Sequence, residues 1–300
     1  MSNDRMARQM AEKDGFIAAL DQSGGSTPKA LKQYGLSETD WTSDDEMFAL
    51  VHAMRARIIK SPAFSGDKVI GAILFERTMD SEIDGMATAD YLWQKRGVVP
   101  FLKVDQGLAA EADGAQLMKA MPGLDALLER AVAKNVFGTK MRSVINAANP
   151  KGIAAVVDQQ FAVGEQIIGH GLMPIIEPEV TISIADKAEA EDILLAEITR
   201  KLDQMIAGRQ VMLKLSLPTK ANLYRPLIEH PAVMRVVALS GGYSRDEANR
   251  LLGLNDGMIA SFSRALAEGL SSKQPDADFD ATLAATIDSI FQASRSAAAA

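Results

Sequence analysis

Three hundred residues, 47% apolar and 24% charged, describe a soluble globular protein with material for a large core. A net charge of −7 and a pI near 5.1 argue against nucleic acid or an anionic membrane as partner, so an anionic small ligand needs a local cluster of Lys and Arg. There is no cysteine, hence no disulfide or thiolate zinc site, and His52, His170 and His230 are too scattered for a histidine-rich metal site; neither a metal nor a cofactor is expected.

The N-terminal stretch MSNDRMARQMAEKDG is polar and amphipathic, a helix rather than a signal peptide. No run reaches membrane-spanning length, and a cytoplasmic location is expected. Short apolar runs then recur at Phe16–Leu20, Val69–Phe75, Val98–Val104, Val136–Met141, Leu172–Ile176, Val211–Leu215, Val236–Leu239 and Met258–Phe262. Segments such as Gly123–Asn135, Ala154–His170, Ala188–Gly208 and Ser244–Leu252 carry Ala, Leu, Glu and Lys at helical spacing. Strands that are apolar throughout are covered on both faces, which predicts a parallel sheet with crossover helices. Eight such units in about 250 residues match the α/β class (β/α)8 TIM barrel, expected as one domain over residues 1–300. The rival open sheet lacks a G-x-G-x-x-G turn. Thr42–Glu46 reads as a helix start, Asn149–Gly152 as a turn before a helix, and Ser294–Ala300 as a frayed, low-complexity tail.

In such a barrel, chemistry gathers at the C-terminal ends of the strands. Those ends carry Asp21, Ser23 and Ser26; Glu76 and Arg77; Lys103 and Asp105; Lys140 and Arg142; Glu177 and Glu179; Lys214; Ser240, Gly241 and Gly242; Ser261 and Arg264. Each has a bland alternative. Asp21 could cap a turn, the Glu177–Glu179 pair and the Lys140–Arg142 pair could edge a solvated strand, and Lys214 could meet solvent or a carboxylate. One such end is noise, whereas a full set is a polar interior site. Lys214 lies between Leu213 and Leu215, and burying an ammonium there favours either pairing or the neutral amine. A neutral amine attacks carbonyls to form a Schiff base. Lys140 nearby would favour that form, Glu177 and Glu179 would supply acid–base chemistry, and Ser240-Gly241-Gly242 would let backbone N–H groups approach a phosphate, with Arg264 closing over it. An iminium formed on a ketone is an electron sink, so the set suits a retro-aldol cleavage.

The chain resembles the class I fructose-1,6-bisphosphate aldolases from about Gly15 to Leu270. The motifs are Asp21-Gln22-Ser23-Gly24-Gly25-Ser26, Ile73–Met79, Lys103-Val104-Asp105-Gln106-Gly107, Phe137–Arg142, Pro174–Glu179, Leu213-Lys214, Leu239–Ser244 and Phe262–Leu266. The resemblance implies that Lys214 forms the Schiff base and Glu177 serves as general acid and base. It implies that Asp21 organises proton removal from the substrate hydroxyl, that Lys140 tunes the nucleophile, and that Glu179 supports the network. Ser240, Gly241, Gly242, Ser261 and Arg264 correspond to the site for the dihydroxyacetone-phosphate end, and Ser23, Ser26, Lys103 and Arg142 to groups near the other phosphate. It implies a phosphorylated sugar substrate, a homo-oligomer, and the reversible cleavage step of glycolysis. Three departures stand out: Gln22 where many animal relatives are acidic, Met141 where an aromatic is common, and an alanine-rich end without a terminal tyrosine. They suggest a short microbial branch. A transaldolase-like ketol transfer or a non-catalytic phosphosugar scaffold are the alternatives; the first does not need two phosphate ends, and the second predicts loss of Lys214, Glu177 or Asp21.

Overall fold

The computed structural model describes residues 2–23 and 26–296, with the side chains of Ser2, Ser26 and Ser296 outside the description. Its centre is a ring of eight strands: β1 Phe16–Leu20, β2 Val69–Leu74, β3 Val99–Lys103, β4 Gly138–Ile145, β5 Met173–Val180, β6 Val211–Ser216, β7 Val233–Leu239 and β8 Ile259–Ala260. They pair in parallel in chain order. The ring closes where the Ala19 N–H donates to the Phe262 carbonyl at 3.2 Å. This is the expected (β/α)8 barrel.

Eight longer helices accompany the strands: α1 Ser2–Glu12, α2 Ser26–Gln33, α3 Asp44–Lys60, α4 Leu124–Ala133, α5 Pro150–Gly169, α6 Lys187–Leu202, α7 Arg245–Leu252 and α8 Asp276–Ser296. Their starts follow local chemistry. Ser43 caps α3 by accepting the Glu46 N–H, and Asn149 caps α5 ahead of Pro150.

Alternate strand residues face opposite ways and build two cores. Ile17, Ile70, Val99, Phe101, Ile175, Met212, Val237 and Ile259 fill the barrel, while Leu213, Leu215, Ile176 and Met141 belong to the layer beneath the helices. Burying each large apolar side chain stabilises the fold by about 1.5–3 kcal/mol. Gly138 is needed inside: a Cβ there would lie 2.8 Å from the Phe101 ring and 2.3 Å from the Met173 carbonyl oxygen.

Helix α1 closes the N-terminal end. Met6 and Met10 join the barrel core, the Gln9 amide donates to the carbonyls of Ile70 and Gly97, and Arg235 donates to the Met10 and Ala11 carbonyls. The C-terminal end is left for the polar residues.

Several boundaries differ from expectation. β4 and β5 continue to Ile145 and Val180, so Glu177-Pro178-Glu179 lies within a strand, because the long β4–β5 ladder carries the chain onward. Helix α6 stops at Leu202 rather than near Gly208. The predicted frayed tail is corrected over its first part: α8 runs through Ser296, and buried Ser294 accepts the Ala260 N–H at 3.1 Å while donating to the Ile290 carbonyl. Residues 297–300 lie outside the described residues.

Candidate active site

The residues that follow the apolar layer on each inward face meet in one cavity of about 590 Å³. The step of two along a strand explains the composition: Ala19 leads to Asp21, Phe101 to Lys103, Ile175 to Glu177 and Glu179, and Met212 to Lys214. On β4, Lys140 and Arg142 line the cavity whereas Met141 packs in the outer layer. Alternation here therefore means inward cations, not a solvated edge.

Lys140 Nζ sits 2.6 Å from Asp21 Oδ2 and 2.9 Å from Glu177 Oε2. Lys214 Nζ sits 3.0 Å from Glu177 Oε1. All four residues are buried. Glu177 Oε2 is close to the ammonium of Lys140 yet has no aligned hydrogen bond among the described residues, so this oxygen retains accepting capacity. The β5–β6 ladder pairs Ile175 with Met212 and Ile176 with Leu213, one residue short of Glu177 and Lys214. Beyond that point the two side chains meet each other.

Burial penalises charge on Asp21, but the Lys140 and Lys214 ammonium groups, the Lys140 hydrogen bond and Lys103 outweigh it and hold the carboxyl well below its ordinary range. Lys140 is the mirror case. Burial opposes its charge, yet Asp21, Glu177 and Asp105 push it far above the usual lysine value. Lys140 is a fixed cation.

Around this centre, Lys103 Nζ contacts Asp105 Oδ1 at 2.7 Å, and the Arg142 N–H donates to Asp105 Oδ2 at 3.2 Å. Glu179 pairs with the Arg142 guanidinium. The sequence reading grouped Glu179 with Glu177 as acid–base groups; its partner here is Arg142, because Glu179 lies two residues beyond Glu177 on β5 and Arg142 two beyond Lys140 on β4. Ser23, Ser240, Gly241, Ser261 and Arg264 line the same cavity. Gly241 has φ +59°, and a Cβ there would press within 2.6 Å of Ile182 Cγ2; Gly242 has φ +121°, and a Cβ there would meet the Arg264 guanidinium at 3.4 Å. The Ser26 side chain lies outside the described residues. Among the lining residues six cations, Lys29, Lys103, Lys140, Arg142, Lys214 and Arg264, face four carboxylates, Asp21, Asp105, Glu177 and Glu179. An acidic protein thus carries a locally positive cavity.

Three polar supports complete the site; Asp105 was noted at a strand end without a role, and Gln160 and Arg55 were not singled out from the sequence. Asp105 ties β3 to β4. Gln160 of α5, fully buried, accepts the Glu177 N–H at 2.8 Å and donates to Ser143 Oγ at 3.0 Å. Arg55 of α3, 1% exposed, reaches the carbonyl of Gln22. A signal existed: Gln160 falls on the apolar stripe Ile153, Val156, Val157, Phe161, and Arg55 on the stripe Val51, Met54, Ile58. A polar residue on a buried helical face has a partner to find.

The fold and cavity define a parallel barrel with a lysine–carboxylate site at its C-terminal mouth, the class in which an amine meets a carbonyl substrate. The family model for "Fructose-bisphosphate aldolase class-I" matches residues 4–224. Fructose-bisphosphate aldolase class 1 of Porphyromonas gingivalis is 58% identical over 292 residues, covering 97% of this chain and 99% of that protein. The enzyme of the same name from Synechocystis sp. is 57% identical, covering 97% of each. The structure of Plasmodium falciparum fructose-bisphosphate aldolase, in complex with TRAP and a small-molecule inhibitor, superposes with a TM-score of 0.80 at 21% identity over 100% of this chain and 96% of that one, a likeness of fold. The chain belongs to the class I fructose-bisphosphate aldolase family, the lyases that work through a lysine Schiff base without a metal. Among the described residues no helix is long and apolar enough to cross a membrane.

Proposed function

We propose that the chain cleaves fructose 1,6-bisphosphate reversibly into dihydroxyacetone phosphate and glyceraldehyde 3-phosphate in the cytoplasm, with Lys214 as the nucleophile. The observation that carries this is the continuous chain Lys214–Glu177–Lys140–Asp21 on the cavity wall. Lys214 passes a proton to Glu177 and attacks the ketone carbon, and a second proton moves from the attacking nitrogen to the ketone oxygen to give a carbinolamine. Glu177 returns a proton to the departing hydroxyl, leaving an iminium and water. Asp21 accepts the proton of the hydroxyl beyond the scissile bond, the carbon–carbon bond breaks, and its electron pair moves to the iminium nitrogen. The aldehyde leaves first; reprotonation and hydrolysis then release the ketone. Lys140 stays charged throughout and keeps Asp21 ionised until the hydroxyl proton reaches it.

The phosphate of the ketone half is assigned to Ser240, Gly241, Gly242, Ser261 and Arg264, and the other phosphate to Ser23, Ser26, Lys103 and Arg142. The positive balance of the cavity supports two anionic ends. Glu179 is assigned to holding Arg142 in place.

Borohydride reduction in the presence of dihydroxyacetone phosphate tests the reading. Peptide mapping is expected to place a three-carbon adduct on Lys214, with turnover unaffected by EDTA. An adduct on another lysine, or loss of turnover in EDTA, contradicts it.

A further inference from the structure

Arg55 is the largest fully buried side chain, and no carboxylate lies within ion-pair distance of it among the described residues. One terminal nitrogen donates to Thr78 Oγ1 at 2.7 Å, and the other to the Gln22 carbonyl at 2.5 Å and, at 3.4 Å, to the Gln22 side-chain oxygen. Its Nε is buried without a partner among the described residues. The Gln22 amide in turn donates to Ser263 Oγ. Arg55 therefore links the ends of three strands: β1 through Gln22, β2 through Thr78 just beyond it, and β8 through Ser263, the neighbour of Arg264.

Such a guanidinium is costly. Burial pulls Arg55 down to about 10, only partly offset by the charge of Asp21, so it remains charged at neutral pH without a direct counterion. A methionine or leucine would fill that volume at less cost to folding, as buried ionic groups replaced by apolar ones often show. The cost is explained by what the fork holds. Gln22 directly follows Asp21, and pinning its carbonyl sets the backbone from which the Asp21 carboxylate reaches Lys140.

We infer that Arg55 is a positioning residue for the bond-breaking step, holding the Asp21-Gln22 backbone through the Gln22 carbonyl and joining it to the β2 and β8 ends. The inference rests on the aldolase reading above. It separates two events at one site: imine formation uses Lys214 and Glu177, on β6 and β5, whereas proton removal before cleavage uses Asp21, on the segment that Arg55 holds.

The test compares Arg55→Met and Arg55→Lys with the parent in the full chain. Adduct formation on Lys214 is read by borohydride trapping with dihydroxyacetone phosphate, and cleavage of fructose 1,6-bisphosphate by steady-state kinetics. For Arg55→Met, trapping is expected within about threefold of the parent while kcat falls about 100-fold, the range of one acid–base group. Arg55→Lys keeps the charge but loses the fork, and is expected to recover part of kcat. An unchanged kcat in Arg55→Met, or trapping that falls in step with kcat, overturns the inference. If Arg55→Met does not fold, Arg55→Lys decides alone: a lowered kcat with trapping intact supports the role, and parallel loss or no loss overturns it. If the parent itself shows no adduct on Lys214, the aldolase assignment fails first, and the two failures are distinguishable.

Discussion

One carboxylate, Glu177, serves both Lys140 and Lys214: Oε2 lies 2.9 Å from Lys140 Nζ and Oε1 3.0 Å from Lys214 Nζ. The two contacts are unequal, since Lys140 also has Asp21 at 2.6 Å whereas Lys214 has Glu177 as its one ion-pair partner among the described residues. Glu177→Gln keeps the shape but removes both the charge and the proton acceptor. Cleavage is expected to slow by about 100-fold or more, as for loss of a general acid–base group. A coupled assay measures this, and kcat within about threefold of the parent would be the wrong outcome.

Lys214→Arg retains a cation opposite Glu177 but has no amine that forms an imine at neutral pH. Turnover and borohydride trapping are both expected to vanish, while the circular dichroism spectrum and the unfolding midpoint stay near those of the parent. Detectable trapping in this variant would move the nucleophile elsewhere.

The Asp21–Lys140 pair has a defined pH window. Asp21 is depressed below its ordinary 3.8, so its contribution to stability is fully present above that value and is lost as pH falls toward the folded-state pKa. Lys140 is raised above its ordinary 10.5, so its contribution is present below 10.5 and is lost as pH rises toward its own folded-state value. The stability difference between the parent and Asp21→Asn should thus be level through neutral pH and shrink below pH 3.8. Urea titrations across pH read it directly; a difference that grows on acidification would reverse the sign.

Gln160→Leu preserves volume and leaves the Glu177 N–H and Ser143 Oγ without their carboxamide partner. Each unsatisfied buried group costs about 1–3 kcal/mol. Urea unfolding is expected to show a loss of at least that order, with reduced kcat because Glu177 loses its backbone anchor. No change in the urea midpoint would mean that the strand seam closes by itself.

Gly241→Ala tests the phosphate loop. With φ at +59° and Ile182 Cγ2 2.6 Å from the new Cβ, the loop must shift. The expected signature is a raised KM with a smaller change in kcat, since the lysine–carboxylate chain is untouched. A fall in kcat alone would detach this loop from substrate binding.

Much of the architecture was legible from local chemistry. Continuous apolar runs marked all eight strands, because a strand covered on both faces has no polar alternation, and Asp21, Lys140, Glu177 and Lys214 stood out as charges at apolar strand ends. Helix α8 escaped because its stripe of Phe279, Leu283, Ile287 and Ile290 leads into an alanine-rich end that reads as low complexity. Whether Ser294 is ordered depends on the Ala260 N–H of β8, a partner 34 residues away along the chain.

The order of the chain determined which residues lie two apart on a strand, and so which of them share a face. It did not determine where one strand stands relative to the next. That stagger, set by barrel closure and by the β4–β5 and β5–β6 registers, puts Glu179 on Arg142 and leaves Glu177 between two lysines. It also turned Gln160 and Arg55 from polar interruptions in helical stripes into supports of the site. Charge and hydrogen-bond strength depend on separations of a few ångströms, and only the folded chain sets those between residues so distant in sequence.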